Sequence, residues 1–166
     1  LKQTAQMVVN QAQGVETKPS QVPVVRSVFG RTNVWAENTR YYDARKEEFE
    51  RRNQLRAVKK ATEADPSDSD AANSLNRLLN EMNVTIRSSG KFDWTSSTVK
   101  IFDDTDDLLK ELRSEIVAVK NNDALSRRQK VEREDELRME IEDAQRKARE
   151  SYIDLLTKAQ TAYGPL

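Results

Sequence analysis

Apolar residues recur along much of the chain at steps of three and four, the spacing that places them on one side of an α-helix. A nearly heptad seam predicts a last helix that continues to about residue 162. Its members are Leu137, Ile141, Ala144, Ala148, Tyr152, Leu155, Ala159 and Ala162. A shorter stripe predicts a preceding helix that starts at Thr105; its members are Leu108, Leu109, Leu112, Ile116 and Val119. Residues 121–125 are typical of a turn and Ser126 is a good N-cap, so the pattern predicts an antiparallel αα-hairpin.

Two further helices are predicted in the middle of the chain. A long one should begin between Asn33 and Glu37 and end near Ala64, because Asp65 precedes a proline and is pushed out of the α region. Its predicted apolar side comprises Tyr42, Phe49, Leu55 and Val58. Its exposed side should form the pairs Glu47–Arg51 and Glu48–Arg52. Residues 65–70 should also cap the next helix, whose apolar positions are Ala71, Leu75, Leu78, Leu79 and Met82.

The remaining segments lack a clear helical pattern. Residues 1–32 are predicted to be the end of a helix followed by an extended linker, in which Pro23 disfavours a central strand. Because a helical pattern is already present at Leu1, we expect a longer parent polypeptide. Residues 33–89 form the two-helix region, and residues 90–104 should be an irregular connector with Phe92 and Trp94 as anchors. The C-terminal hairpin occupies residues 105–166.

Composition sharpens this picture. Charged residues make up 34% of the chain and apolar residues only 36%, so each helix has a thin apolar stripe instead of a deep core. We therefore predict an all-α fold of long charged helices packed in an oligomer. The formal net charge is zero, which disfavours a chain built as a whole to bind polyanions. No apolar run reaches the length of a membrane span.

The chain contains neither cysteine nor histidine. Thiol chemistry is thereby excluded, and the commonest general base and metal ligand are missing. The spacing Asp65-x-x-Asp68-x-Asp70 resembles a calcium loop, but it lacks the central glycine and the closing glutamate, so we interpret it as a helix cap. The acidic run at residues 103–107 is likewise interpreted as a helix start. We predict no catalytic residue, no metal and no cofactor, and hence no enzyme.

Two sets of residues are candidates for binding a partner. A basic bias on the long helix could contact nucleic-acid phosphates, although a solvated, salt-bridged helix face is the favoured interpretation because glutamates neighbour the cations. The cations concerned are Arg45, Arg51, Arg52, Arg56, Lys59 and Lys60. Apolar and aromatic residues near the start of the chain are candidates for docking on a neighbouring subunit. They are Val22, Val24, Val25, Phe29, Trp35 and Tyr42.

Several features, taken in order, resemble the C-terminal region of the internal virion, or ejection, proteins of short-tailed phages and of large polyvalent phage proteins. They are the apolar segment 22–30, the pair Tyr41 and Tyr42, the Asp-x-x-Leu-x-x-Leu-Arg pattern at 106–113, the Asp-Ala-Leu-Ser turn at 123–126, and the Ala-x-x-Ala-Tyr pattern at 159–163. The resemblance covers roughly residues 21–163.

The resemblance implies a structural component of the virion, packed in a core on the portal with other core proteins. It implies release on infection, participation in genome ejection, and a later location in the host cell envelope. Some relatives have a cell-wall-degrading domain, but its signatures are missing here, so that activity is not carried over. Two alternatives stay open: a coiled-coil scaffold or assembly adaptor, and a helical nucleic-acid-binding module.

Overall fold

The computed structural model describes residues 33–163, with side chains described for residues 36–162. Within this part of the chain there are four helices and one short hairpin of strands. The elements are α1 (Asn33–Ala64), α2 (Ser69–Glu81), β1 (Thr85–Ile86), β2 (Phe92–Asp93), α3 (Thr98–Lys120) and α4 (Arg127–Tyr163). The predicted all-α class is confirmed. The predictions for residues 1–32 lie outside the described residues.

Local signals end and begin several helices at the predicted positions. Helix α1 ends at Ala64, immediately before the Asp65-Pro66 step. Asp68 caps α2, because its Oδ1 accepts hydrogen bonds from the backbone N–H groups of Asp70 and Ala71 at 3.0 Å. A capping box opens α4: the Ser126 Oγ accepts from the Gln129 N–H, and the Gln129 Oε1 accepts from the Ser126 N–H at 2.9 Å.

The predicted start of the third helix was wrong. Helix α3 begins at Thr98 after the N-cap Ser97, so the irregular connector is shorter than predicted. Three β-branched residues among the first four positions weaken the local helical preference. Burial of Val99 and Phe102 overrides that preference. The acidic residues 103–107 consequently lie inside the helix, not at its start.

A two-stranded antiparallel hairpin separates α2 from α3. The break predicted at residues 88–90 is its turn: Gly90 has φ +78°, and its N–H donates to the Arg87 carbonyl at 2.8 Å. Phe92 and Trp94 pack against a small core, as expected for anchors. That core consists of Leu55, Met82, Val84 and Val99.

The main core lies where α1 packs on the antiparallel pair of α3 and α4. Its buried residues are Tyr41, Phe102, Leu109, Leu112, Ile116, Leu137, Ile141, Ala148 and Tyr152. Three aromatic rings meet there, since Phe102 contacts both Tyr41 and Tyr152 with ring centroids 5.6 and 5.3 Å apart. The predicted hairpin of the last two helices is therefore present, and α1 completes a three-helix core.

The buried side of α1 is shifted by one position along the sequence from the predicted side. Tyr41, Glu48 and Leu55 are fully buried at heptad spacing. Tyr42 and Phe49, predicted on the apolar side, are 42% and 52% exposed. The helix is rotated in this way because Tyr41 and Glu48 meet the polar groups of α3 and of α1 itself, as the next section describes.

Candidate functional site: a charged seam between α1 and α3

The most densely connected polar residues form a seam between α1 and α3, which we call the Arg45 cluster. Its members are Tyr41, Arg45, Glu48, Arg52, Asp103 and Asp106. Arg45 is at its centre: its Nε lies 3.1 Å from Asp106 Oδ2, its Nη2 2.8 Å from Asp103 Oδ1, and its Nη1 2.7 Å from Glu48 Oε2. One guanidinium thus connects three carboxylates on two helices through its rigid fork of donors.

The Arg45 cluster is partly shielded from solvent. Glu48 is fully buried, and it accepts hydrogen bonds at Oε2 from Arg45 and Arg52. Its other oxygen, Oε1, has no hydrogen-bond partner among the described residues. The Arg45 guanidinium also lies over the Phe102 ring, 5.7 Å from the centroid. A charge in this position is held by its partners and not by solvent.

Burial and neighbours shift two ionisations in the cluster. Burial raises the pKa of Tyr41 far above its ordinary value, and the hydrogen bond from its hydroxyl to Asp106 raises it further. Burial alone would lower the pKa of Arg45, but the carboxylates of Asp106, Glu48 and Asp103 outweigh it and raise that pKa. Tyr41 is therefore a neutral donor and Arg45 a permanent cation, an arrangement suited to holding helices together.

A second polar contact joins α1 to α4 near the beginning of α1. The Arg149 Nη2 lies 3.1 Å from both carboxylate oxygens of Glu37. One turn away, the Gln145 Nε2 donates to the Asn38 Oδ1 at 2.8 Å. Gln145 is fully buried, and its Oε1 has no hydrogen-bond partner among the described residues.

Four of the six cations proposed as nucleic-acid contacts are engaged within the molecule. Arg45 and Arg52 belong to the Arg45 cluster. Arg51 pairs with Glu47 at 2.9 Å and lies over the Tyr152 ring, and Lys59 pairs with Glu63 and lies over the Phe92 ring. Arg56 and Lys60 are exposed. The structure does not bring the six cations together as one free surface.

The acidic motifs have intramolecular roles. Asp65 accepts hydrogen bonds from the Ser67 N–H and hydroxyl, and Asp68 caps α2. Asp103 and Asp106 bind Arg45, and Asp104 pairs with Lys100. Among the described residues, no group of three or more acidic side chains is placed to hold a metal ion. None of the described helices combines the length and the apolar character that a membrane crossing requires.

Of the predicted docking residues, only Tyr42 has a described side chain. Its ring packs edge-on against Tyr41, with centroids 5.2 Å apart, and its hydroxyl accepts a hydrogen bond from Arg113 at 3.0 Å. Val22, Val24, Val25 and Phe29 lie outside the described residues, as does the side chain of Trp35. Tyr42 is therefore half-exposed but already anchored to α3.

Beside the beginning of α1, the pair of α3 and α4 forms an open groove of about 310 Å³. We call it the hairpin groove; it is lined by Asn38, Arg113, Ile116, Arg138 and Ile141. Its floor is apolar, and its rim carries two guanidinium groups. Among the described lining residues there is no carboxylate, thiol or imidazole to supply an acid, a base or a nucleophile.

Sequence reasoning missed four members of the seam, of which Tyr41 and Glu48 are buried. Tyr41, Glu48, Asp103 and Asp106 were not proposed as site residues. The available signal was the heptad of Tyr41, Glu48 and Leu55, one residue out of step with the heptad of Tyr42 and Phe49.

No protein-family model matches the chain. No curated protein and no solved structure matches it either. The resemblance to internal virion proteins therefore stays a prediction.

Proposed function

We propose that this chain is a structural part of a phage virion, the C-terminal region of an internal core, or ejection, protein. In this proposal it assembles with copies of itself and with other core proteins at the portal, and it takes part in DNA ejection into the host. Its location is the capsid interior, and after ejection the host cell envelope. The observation that carries the proposal is the ordered set of sequence features from residues 22–30 to residues 159–163.

The charged seam supports a structural role. The guanidinium groups of Arg45, Arg52 and Arg149 each bind carboxylates of another helix, and these ion pairs hold the helices together. Large apolar side chains remain more than half exposed on three different helices, namely Phe49, Val117 and Val131. Helices of this kind bury additional apolar surface when they pack against neighbours, as they would in a ring or stack. We propose no catalytic role for these residues, and no cofactor.

Mass spectrometry of purified particles tests this function. The chain should be present in mature, DNA-filled particles and depleted from particles that have ejected their DNA. Major capsid protein, quantified in the same samples, is the internal control. Retention of the chain after ejection would contradict an ejected protein, and absence from mature particles would contradict a virion component of any kind.

A scaffold or assembly adaptor is the second candidate, and the long seam of α4 favours it. Leu137, Ile141, Ala148, Tyr152 and Ala159 are buried along α4 at steps of four and seven. Such a seam is also typical of coiled-coil assembly proteins. A scaffold would be present in precursor particles and lost before maturation, so the same experiment separates the two functions.

Direct nucleic-acid binding is the third candidate, and the internal pairing of four cations argues against it. Titration of the chain with duplex and single-stranded DNA at low salt tests it. Binding that weakens steeply with salt and is lost in Arg56→Ala/Lys60→Ala would support this candidate. No binding at low salt would refute it.

A further inference from the structure

An exposed aliphatic side chain of α3 lies between carboxylates. Leu108 is 43% exposed, whereas Leu109 and Leu112 beside it are buried. Asp107 precedes Leu108 and Glu111 follows it about one turn later, and both carboxylates are exposed. Neither of them forms an ion pair with another described residue. We call Asp107, Leu108 and Glu111 the acidic ridge.

The hairpin groove has the complementary chemistry. Ile116 and Ile141 form its apolar floor, and each is still 8% exposed. The aliphatic stems of Arg113 and Arg138 extend this floor, and their guanidinium groups lie at the rim. Arg113 forms no ion pair with a described residue, and the Arg138 Nη2 is 3.9 Å from Glu134 Oε2. The groove therefore fits an aliphatic side chain that is accompanied by carboxylates.

The acidic ridge and the hairpin groove face different directions. Leu108 and Arg113 are five positions apart on α3, which places them about 140° apart around the helix axis. A ridge therefore points away from the groove of its own molecule. When the ridge of one copy enters the groove of a second copy, the groove of the first and the ridge of the second stay free. Such a contact is heterologous, so it continues from copy to copy and closes into a ring or extends as a stack.

We propose that the acidic ridge of one copy docks in the hairpin groove of the next copy. Leu108 then covers the apolar floor, and the two carboxylates of the ridge bind the two guanidinium groups at the rim. Charge complementarity favours a second copy as the occupant, because its ridge presents an aliphatic side chain and unpaired carboxylates together. This inference deepens the self-assembly that the proposed function includes, and it rests on that part of the function.

Sedimentation velocity of the full chain at increasing protein concentration tests the contact. We expect assemblies larger than a dimer, and we expect them to weaken as salt rises, because salt screens the ion pairs at the rim. The ridge variant Asp107→Lys/Glu111→Lys reverses both charges and should raise the dissociation constant at least about tenfold. Its matched control is Asp43→Lys/Glu50→Lys, which makes the same change of charge at exposed positions of α1 and should leave assembly unchanged.

A groove variant completes the test. Arg113→Ala/Arg138→Ala removes the rim cations, and like the ridge variant it should stay monomeric at concentrations at which the unmodified chain assembles. Mixed together, the two variants should form a one-to-one complex that grows no further. The reason is that the groove variant keeps an intact ridge and the ridge variant keeps an intact groove. Circular dichroism verifies that each variant keeps its helices.

An unmodified chain that stays monomeric, or an assembly that both variants leave intact, would overturn the proposal. A mixture of the two variants that stays monomeric would overturn it as well. The virion function has a separate outcome, because it fails when the chain is missing from mature particles or is retained after ejection, whatever the affinity of the chain for itself.

Discussion

Arg45 and Asp106 are 61 residues apart in the sequence, and the Arg45 Nε lies 3.1 Å from Asp106 Oδ2. The other oxygen of the same carboxylate accepts a hydrogen bond from the Tyr41 hydroxyl at 2.5 Å. One aspartate of α3 therefore binds two side chains of α1 that are one turn apart. These two contacts fix the position of α1 along α3 and the rotation of α1 about its own axis.

Removing this carboxylate should destabilise the fold. In Asp106→Ala, Arg45 loses one of its three partners, and the buried Tyr41 hydroxyl keeps only the Phe102 carbonyl at 3.5 Å. We expect the free energy of unfolding to fall by about 1–3 kcal/mol. Urea denaturation followed by circular dichroism measures it. The control Asp107→Ala, an exposed neighbour in the same helix, should stay within about 0.5 kcal/mol of the wild type. Equal losses in both variants would show that the contacts of Asp106 add nothing to the free energy of unfolding.

The two buried tyrosines should respond oppositely to loss of their hydroxyls. Tyr41 donates to Asp106, so Tyr41→Phe should lower the free energy of unfolding by about 1 kcal/mol. The Tyr152 hydroxyl is buried and makes no hydrogen bond of normal geometry with the described residues, although the Glu47 carboxylate adds to the increase in its pKa that burial causes, so Tyr152→Phe should be neutral or stabilising. Chemical denaturation of both variants checks the contrast. A larger loss in Tyr152→Phe than in Tyr41→Phe would contradict the assigned roles.

The ionised carboxylate of Asp93 should stabilise the folded chain at neutral pH, and this contribution should be lost at low pH. Hydrogen bonds from the Thr95 hydroxyl and N–H, and then from Arg87, lower the pKa of Asp93 from 3.8 to about 2. Because the folded pKa lies below the unfolded one, this contribution is fully present above about pH 4 and disappears as pH falls towards 2. The stability difference between the wild type and Asp93→Asn should shrink across that window.

A direct titration provides the control for Asp93. In Thr95→Ala the hydroxyl donor is gone while the carboxylate remains, so the pKa of Asp93 should move back towards 3.8. Carboxyl resonances followed by NMR between pH 2 and pH 6 (roughly two units either side of an ordinary aspartate) measure the shift. An unchanged pKa in this variant would refute the role assigned to Thr95.

The capping box at the start of α4 should stabilise the folded chain by about as much as one hydrogen bond. Ser126→Ala removes the acceptor for the Gln129 N–H, and we expect a loss of about 1 kcal/mol in the free energy of unfolding. Ser114→Ala, at an exposed position inside α3, is the matched control and should be neutral or slightly stabilising because alanine favours helices. If both changes have the same effect, the cap is not formed in solution.

Helix ends were predictable where one local signal dominates. The Asp65-Pro66 step ends α1, and Ser126 with Gln129 starts α4, because sterics and capping act within a few residues. The start of α3 was not predictable in the same way. Thr98 and Val99 have weak helix propensity, and they are helical because both are buried. Propensity is a weak prior that tertiary packing overrides.

The candidate site was only half visible in the sequence. The basic residues of α1 and the acidic residues at 103–107 are each conspicuous, and each was given a separate role. Their true relationship is that Arg45 and Arg52 bind Asp103, a contact across 58 and 51 positions. Charge patterning predicts pairs within a helix, but not which face of one helix meets which face of another.

The sequence alone determined that the chain is helical, where its helices begin or end at strong local signals, and that it has no cysteine or histidine chemistry. Those properties depend on spacing, capping and composition, which act over a few residues. Only the tertiary structure decided that Tyr41 and Glu48, not Tyr42 and Phe49, face inward. A rotation of α1 by about 100° exchanges the two sets, because successive residues of an α-helix are separated by that angle. The thin apolar stripe of α1 is compatible with either rotation. The carboxylates of α3 therefore determine which rotation the helix adopts.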